Sequence, residues 1–493
     1  MSRVLLINWD NYPNSSSGGV YAWAKQMVDN LTETEFLVLN ILSNPNVSGS
    51  YSIPRNVSKV IEVPLYGCQR YEEFCATGRF VQKVRGTDER FIRNQFLPLF
   101  GKLVSELISD SCNYGQMGQL VYQMHQLLVG HDVKKCVEHP LSFSTFTNSL
   151  SRDELYRTVQ MKEAVDLFQF VQRILQILSV DLPEVDLVHS SNAWIPALAG
   201  ICAKARHGCP MIATEHGVAF KDLLLYHQLF IHNEAYNILW KVLSSNIIKT
   251  IYHASDIVAP VCEANATAAR MLDTSQAKIR VIYNGVDNEK FRPMQERRGG
   301  AHRPTIVFVG RIELLKDVLS LIQSISYVKQ SIPDVLCLIY GSSTDIEYAN
   351  TCLQMVRDLK LQDNVKFMGP TKSPEQAYNA GDVVVLSSIR EGFPYTVVEA
   401  MSCGKVVVST DVGGVKEALE NYGILVRSRH PYELASALVR LLADERTRKA
   451  MELAAIEQVS SKFTISRAIE QYRNLYTELL NPARSMQAWK EKQ

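Results

Sequence analysis

One rhythm constrains this chain more than any other feature. In its second half, six short apolar runs at residues 305–309, 335–340, 365–368, 383–386, 406–409 and 423–426 alternate with segments long enough to form helices. Runs of four to six residues that are apolar at nearly every position fit strands buried on both faces, as in a parallel sheet. Strand–helix repetition of this kind calls for an α/β domain with helices packed on the sheet. The series closes with an amphipathic helical pattern over residues 465–480.

The same rhythm opens the chain. An apolar run at 4–7 leads into a loop rich in Asn, Pro and Ser that ends at Gly18 and Gly19. An amphipathic helix over about 20–31 and a strand at 35–42 follow. Residues 68–180 depart from the pattern: they are helical in character, mixed in polarity, and read as a helical insertion within the first domain. Strand signals return at 186–189, 211–214, 256–260 and 279–282, with a helix through 205 between the first two. Residues 288–303 (NEKFRPMQERRGGAHR) are polar and contain Pro and paired Gly, the composition of a linker. The expectation is a first domain over 1–285, a hinge at 286–303, a second domain over 304–464, and a closing segment 465–493 that packs back on the first domain. Two parallel-sheet domains facing a cleft would place ligands beyond the carboxyl ends of the strands.

Composition narrows the class. The 493 residues suffice for two to four domains, and 52 basic against 51 acidic side chains leave a net charge of +1, without the basic excess of a nucleic-acid binder. The first apolar run is too short for a signal peptide and no stretch is long enough for a membrane span, so a cytoplasmic protein is expected, with peripheral membrane contact left open. The ten cysteines form no CxxC pair and read as reduced, small apolar residues.

Two segments carry candidate chemistry. Gly310-Arg311 ends the first strand of the second domain, and Lys316 follows at the start of the next helix. Two cations at the carboxyl end of a strand suit a polyphosphate; the plain alternative is a solvated basic pair. Residues 387–400 (SSIREGFPYTVVEA) form a turn and a helix start near Tyr395, with Glu391 in the loop and Glu399 about one turn into the helix. Unpaired amides of Tyr395, Thr396 and Val397 would make an anion site, flanked by carboxylates able to accept from sugar hydroxyls. Alternatively Glu391 is a surface loop residue and Glu399 a partly buried helix charge.

Taken together, the Glu-x7-Glu pattern, the Gly-Arg-x4-Lys pattern, Tyr283-Asn284-Gly285-Val286-Asp287, residues 400–405 (AMSCGK) and 411–414 (DVGG) resemble, in order, the family-4 retaining glycosyltransferases of the GT-B fold. Residues 18–23 (GGVYAW), 186–190 (DLVHS) and 214–217 (TEHG) resemble the branch that includes the transferase of Pel exopolysaccharide synthesis.

The resemblance implies a hexosyltransferase that needs no metal and no cofactor. It would move a hexose from a nucleoside diphosphate sugar, UDP-glucose foremost, to a hydroxyl acceptor in polysaccharide or glycoconjugate synthesis. Transfer to a small metabolite or natural product, or a non-catalytic sugar-nucleotide-binding subunit, are the alternatives. Arg311 and Lys316 would hold the diphosphate, with Gly310 beside them. Glu391 would bind the sugar, and Gly392, Phe393, Pro394, Tyr395, Thr396 and Val397 would meet sugar and phosphate. Glu399 would take the ribose. Gly18 and Gly19 would let the first-domain loop approach the diphosphate, and His216 would lie beside the donor sugar, although a lone strand-end histidine is more often structural. His189 is read as architectural. No Asp-x-Asp pair occurs, so the usual sequence device for a metal-bound diphosphate is missing.

Overall fold

The computed structural model describes residues 1–10, 12–14, 18–43, 53–67, 80–217, 220, 221, 224, 233–294, 303–343 and 345–481. Two compact units emerge. One comprises residues 1–260, 266–281 and 472–493, the other 261–265 and 282–471.

The first unit is built on six parallel strands, β1 (Ser2–Trp9), β2 (Thr34–Leu42), β3 (Val57–Pro64), β4 (Leu187–Ser190), β5 (Met211–Glu215) and β6 (Ile257–Pro260), in the order β3-β2-β1-β4-β5-β6. β1 runs level with β2 from Ser2↔Thr34 and with β4 from Val4↔Leu187. Val4, Leu5, Leu6 and Ile7 are wholly buried, which is why this strand reads as an uninterrupted apolar run. β3 escaped the sequence reading. It is an edge strand with sequence VSKVIEVP, and the exposed Ser58 and Lys59 dilute its apolar signal, as edge strands commonly do. The expected strand at 279–282 is not one. A single bridge joins Ile279 to Val258, and β6 ends at Pro260, which has no N–H to extend a ladder.

Between β3 and β4 the described residues from Phe80 onward are mostly helical, with longer helices at Leu97–Leu107, Tyr114–Val129 and Met161–Leu178. Residues 68–79 of the expected insertion lie outside the described residues. The helices bury Phe96, Phe100, Phe146 and Leu167 completely, in one apolar cluster with Leu5, Leu39 and Val188 of the sheet. The block therefore shares the core of its domain. Helix starts follow their caps: the Asn113 side chain accepts from Gln116 N–H, and Asn233 accepts from Tyr236 N–H.

The second unit repeats the plan with β7 (Thr305–Val309), β8 (Leu336–Tyr340), β9 (Val365–Gly369), β10 (Val383–Leu386), β11 (Val406–Thr410) and β12 (Gly423–Val426), in the order β12-β11-β10-β7-β8-β9. Counted from its own first strand this is the order of the first sheet. Val383, Val384, Val385 and Val406 to Val408 are fully buried. Of the segment expected to be a linker, residues 288–294 are mostly exposed but anchored: Phe291 is buried, and Met294 N–H donates to Asn379 Oδ1 at 3.0 Å. Residues 295–302 lie outside the described residues. The helix Ile465–Leu480 ends the described chain. All eight cysteines among the described residues are free thiols, seven of them buried.

Candidate functional site

In the second sheet the strand order reverses between β7 and β10, the first strand and its later neighbour. Loops that leave adjacent strands at such a point diverge to opposite faces and open a ligand crevice at the carboxyl ends. After β7, Gly310 N–H donates to Tyr340 O at 2.9 Å. Gly341 must be glycine, because a Cβ there would stand 1.8 Å from Gly310 O. Arg311 follows, then a 3-10 turn Leu314–Lys316. Lys316 does not begin the next helix. Asp317 takes the cap position at φ +46° and accepts from Ser320 N–H, and the helix Val318–Ser331 starts one residue later.

The loop after β10 is fastened to that turn. Ile389 N–H donates to Leu315 O at 2.8 Å, and Ser387 Oγ donates to Lys316 O at 2.8 Å. The side chains then close the junction: Lys316 Nζ and Ser388 Oγ both donate to Glu391 Oε1 at 2.6 Å. The Glu391 side chain is 9% exposed and that of Lys316 20%, so the pair is well shielded from water. Arg311 is placed differently. Its side chain is 67% exposed and pairs with Glu313 Oε1 at 3.0 Å, a contact of small energetic weight at such a surface.

The loop that carries Glu391 is braced from below. Gly392 O accepts from Gly414 N–H at 2.7 Å. Gly413 has φ +57°, and a Cβ there would fall 2.0 Å from Glu391 O. Phe393 is buried with its ring 5.3 Å from that of Tyr283 and 5.1 Å from that of Phe463. Asn284 Nδ2 reaches Phe393 O at 3.4 Å, while Gly285 passes so close to Thr464 that a Cβ would meet its carbonyl at 2.4 Å. Residues 283–287 therefore hold the loop from behind.

Pro394 caps the helix Tyr395–Ser402. Thr396 Oγ1 donates to Val309 O at 3.3 Å, tying the helix start to the end of β7. One expectation needs correction here. The Val397 N–H is used within the first turn, donating to Pro394 O at 3.2 Å, so it is not a spare anion-binding amide. Glu399 lies one turn in, and its Oε2 accepts from Tyr378 Oη at 2.7 Å. Burial, opposed by that hydrogen bond, pushes the Glu399 carboxyl up to about 7.

The remaining candidates belong to the first unit. Gly18 precedes the helix Gly19–Asn30 with φ +105° and ψ 155°, a conformation open essentially to glycine alone. The ring of Trp23, from that helix, stands edge-on to His216 at 4.8 Å and to His189 at 5.2 Å. His189 is fully buried; its Nδ1 pairs with Tyr476 Oη and its Nε2 with Thr214 Oγ1, both at 2.7 Å, in agreement with an architectural role. His216 Nε2 is enclosed with no hydrogen-bond partner among the described residues. Burial holds both imidazoles down at about 3, so both are neutral. Glu215 is wholly buried and accepts from Tyr252 Oη at 2.6 Å, a structural contact.

Sequence reasoning missed Ser388, Tyr378 and Glu313. Ser388 was within reach, since a serine three residues before a loop carboxylate is a common local hydrogen-bonding pattern. Tyr378 had no such signal, because only the fold carries the short helix Pro374–Asn379 to Glu399. Among the described residues, no group of three His, Cys, Asp or Glu side chains is arranged to hold a metal ion, and no helix is long and apolar enough to cross a membrane.

Residues 2–275 match the family described as Domain of unknown function (DUF3492), and residues 292–458 match Glycosyl transferases group 1. The chain is 29% identical over 315 residues to the D-inositol 3-phosphate glycosyltransferase of Paenarthrobacter aurescens, covering 61% of this chain and 75% of that one. It is 26% identical over 347 residues to the enzyme of the same description from Corynebacterium diphtheriae, covering 66% and 77%. Among solved structures it resembles sucrose-phosphate synthase from Thermosynechococcus elongatus, with TM-score 0.63 and 17% identity over 98% of this chain and 100% of that one. It also resembles Anabaena Alr3699/HepE in complex with UDP, with TM-score 0.62 and 16% identity over 97% and 100%. These structural likenesses place the fold in the GT-B class, as the sequence motifs implied.

Proposed function

We propose a reaction for a chain that belongs to the DUF3492 family through residues 2–275 and whose following region, residues 292–458, is that of a group 1 glycosyl transferase. It moves a hexose from a UDP-sugar to an acceptor hydroxyl, with retention of configuration and without a metal ion. The observation that carries this reading is the junction of Lys316, Ser388 and Glu391, where a shielded cation and a shielded carboxylate meet at the switch point of a parallel sheet.

On this reading the donor diphosphate lies over Lys316, with Arg311 as the exposed outer cation. Departure of the nucleoside diphosphate builds negative charge, and each well-placed opposing charge is worth roughly 3–4 kcal/mol of barrier. The bond from the anomeric carbon to the diphosphate oxygen breaks, and its electrons leave with the phosphate. The acceptor oxygen bonds to the same face of that carbon, and its proton passes to the departing phosphate oxygen. Glu391 accepts from hydroxyls of the transferred sugar, amides between Gly392 and Thr396 meet sugar and phosphate, and Glu399 takes the ribose. No side chain is needed as a covalent nucleophile.

Uridine and glucose are the first donor components to test. The resemblance in the second-half motifs supports them, and Alr3699/HepE, similar in fold, was crystallised with UDP-glucose. The first-half motifs, with the helical block before β4, support an acceptor in polysaccharide or glycoconjugate synthesis and kinship with the Pel branch. A calorimetric screen of sugar nucleotides, followed by mass analysis of products formed with candidate acceptors, tests the proposal. Binding of UDP-glucose with transfer to a hydroxyl supports it. Binding without transfer to any acceptor would favour a non-catalytic subunit, and failure to bind any sugar nucleotide would overturn it.

A further inference from the structure

Tyr378 is fully buried, yet it carries a hydroxyl that must find a partner, and the partner is the Glu399 carboxylate at 2.7 Å. Its ring packs among Val384, Val397, Val398 and Met401, with the Phe291 ring 6.2 Å away. This setting fixes the phenol in place. The Glu399 carboxylate makes no other hydrogen bond or ion pair among the described residues, and unlike Tyr378 the residue keeps some surface. Lys290, paired with Glu375 at 3.9 Å, acts on Glu399 only through space. A carboxylate on a helix would ordinarily rotate about its terminal torsion and present either oxygen. Here Oε2 is taken by a buried donor, so Oε1 is the oxygen left without a partner among the described residues.

We propose that Tyr378 is the positioning residue for ribose recognition, holding Glu399 so that a single oxygen, Oε1, is presented to the ribose hydroxyls of the donor nucleotide. This rests on the reading of Glu399 as the ribose contact. Selection of ribose over deoxyribose then depends on Tyr378, although the tyrosine never touches the ligand. The Tyr378→Phe change removes one oxygen atom and preserves the packing volume, which separates positioning from filling the core.

The test is calorimetry on the full chain with UDP, ADP and GDP and with the 2′-deoxy and 3′-deoxy forms of each. Wild-type protein, Tyr378→Phe and Glu399→Gln are compared, and thermal unfolding reports folding. A hydrogen bond to a charged acceptor is worth roughly ten- to a hundredfold in affinity, so wild-type protein should prefer the ribonucleotide by at least about tenfold. Tyr378→Phe should bring that preference to within about threefold while it stays folded. It should also move the pH midpoint of nucleotide binding upward, because the phenol hydrogen bond favours the charged carboxylate. If Glu399→Gln abolishes the preference and Tyr378→Phe keeps it, with the pH midpoint unmoved, the positioning role is wrong and the reading of Glu399 stands. No preference in wild-type protein, or a full preference in Glu399→Gln, removes the reading of Glu399 itself, as would failure to bind any of the three diphosphates. Should Tyr378→Phe prove unfolded, Tyr378→His, which keeps a donor, must retain the preference, and a folded Tyr378→His without it counts against the inference.

Discussion

Lys316 and Glu391 are 75 residues apart in the chain, and Lys316 Nζ lies 2.6 Å from Glu391 Oε1. Both side chains are mostly covered, so neither charge is solvated well enough to lose its partner cheaply. If Lys316 offsets charge on the leaving group as proposed, Lys316→Ala should lower kcat/KM by about a hundredfold or more. Arg311→Ala should cost less, because that side chain is 67% exposed and shared with Glu313. A double-mutant cycle over Lys316→Ala and Glu391→Gln, read by thermal unfolding, should give a coupling of about 1–3 kcal/mol. Additive effects would mean that the pair is not formed in solution.

Gly413 tests the brace beneath that pair. A Cβ at this position would lie 2.0 Å from Glu391 O and 2.9 Å from Gly392 O, and its φ of +57° already disfavours other residues. Gly413→Ala must push the loop carrying Glu391 outward. Steady-state kinetics should show kcat/KM reduced more than tenfold. Gly369→Ala is the control, since its φ is +76° but nothing lies within 4 Å of the added atom. It should cost about 1 kcal/mol of stability and little activity.

These two cases also mark what the residues alone disclose. The β7 and β10 runs were legible because strands buried on both faces must be apolar throughout. β3 was not, because an edge strand is free to carry Ser58 and Lys59 on its open side. The Gly-Arg-x4-Lys and Glu-x7-Glu segments could each be singled out by residue type. Their junction depends on β7 lying beside β10, a fact of topology that spacing does not encode. The same holds for Tyr378, an ordinary tyrosine in a six-residue helix until the fold carries it to Glu399. Val397 was misjudged because a helix's first-turn amides are spare only when the turn does not tighten onto Pro394 O.

If Glu399 takes the ribose as proposed, nucleotide binding should depend on pH. Burial raises its carboxyl from 4.5 to about 7, so near neutrality the folded protein holds a mixture of acid and carboxylate. A ribose hydroxyl donates best to the carboxylate. Affinity for UDP should therefore rise as pH goes from 6 to 8 and then level, and in Glu399→Gln calorimetry should find it flat across that range. The same shift bears on folding. Between pH 4.5 and 7 the unfolded chain gives up this proton while the folded chain keeps it, so stability falls as pH rises through that window. Above pH 7 the accumulated cost is on the order of 3 kcal/mol, and Glu399→Gln should recover part of it.

The two histidines of the first unit act at the acid end. His189 and His216 are both held at about 3 by burial, against 6.5 for a solvated imidazole, and for His189 the neighbouring His216 adds to the effect. Their folded-state values lie below the unfolded one, so the unfolded chain binds more protons between pH 3 and 6.5, and stability falls as pH drops through that interval. At pH 5 each neutral histidine costs about 2 kcal/mol relative to neutral pH. The Trp23 ring, from the helix Gly19–Asn30, stands edge-on to both imidazoles. Near pH 5 these two histidines together should take up about two protons on unfolding, set against the proton that Glu399 releases there. His216→Gln, which leaves the bonds of His189 to Tyr476 and Thr214 in place, should lower the net uptake, read by denaturant unfolding from pH 7.5 to 5, by about one proton relative to wild type. An uptake unchanged by the substitution would show that His216 is already protonated in the folded protein, and that its enclosed Nε2 has a partner in solution.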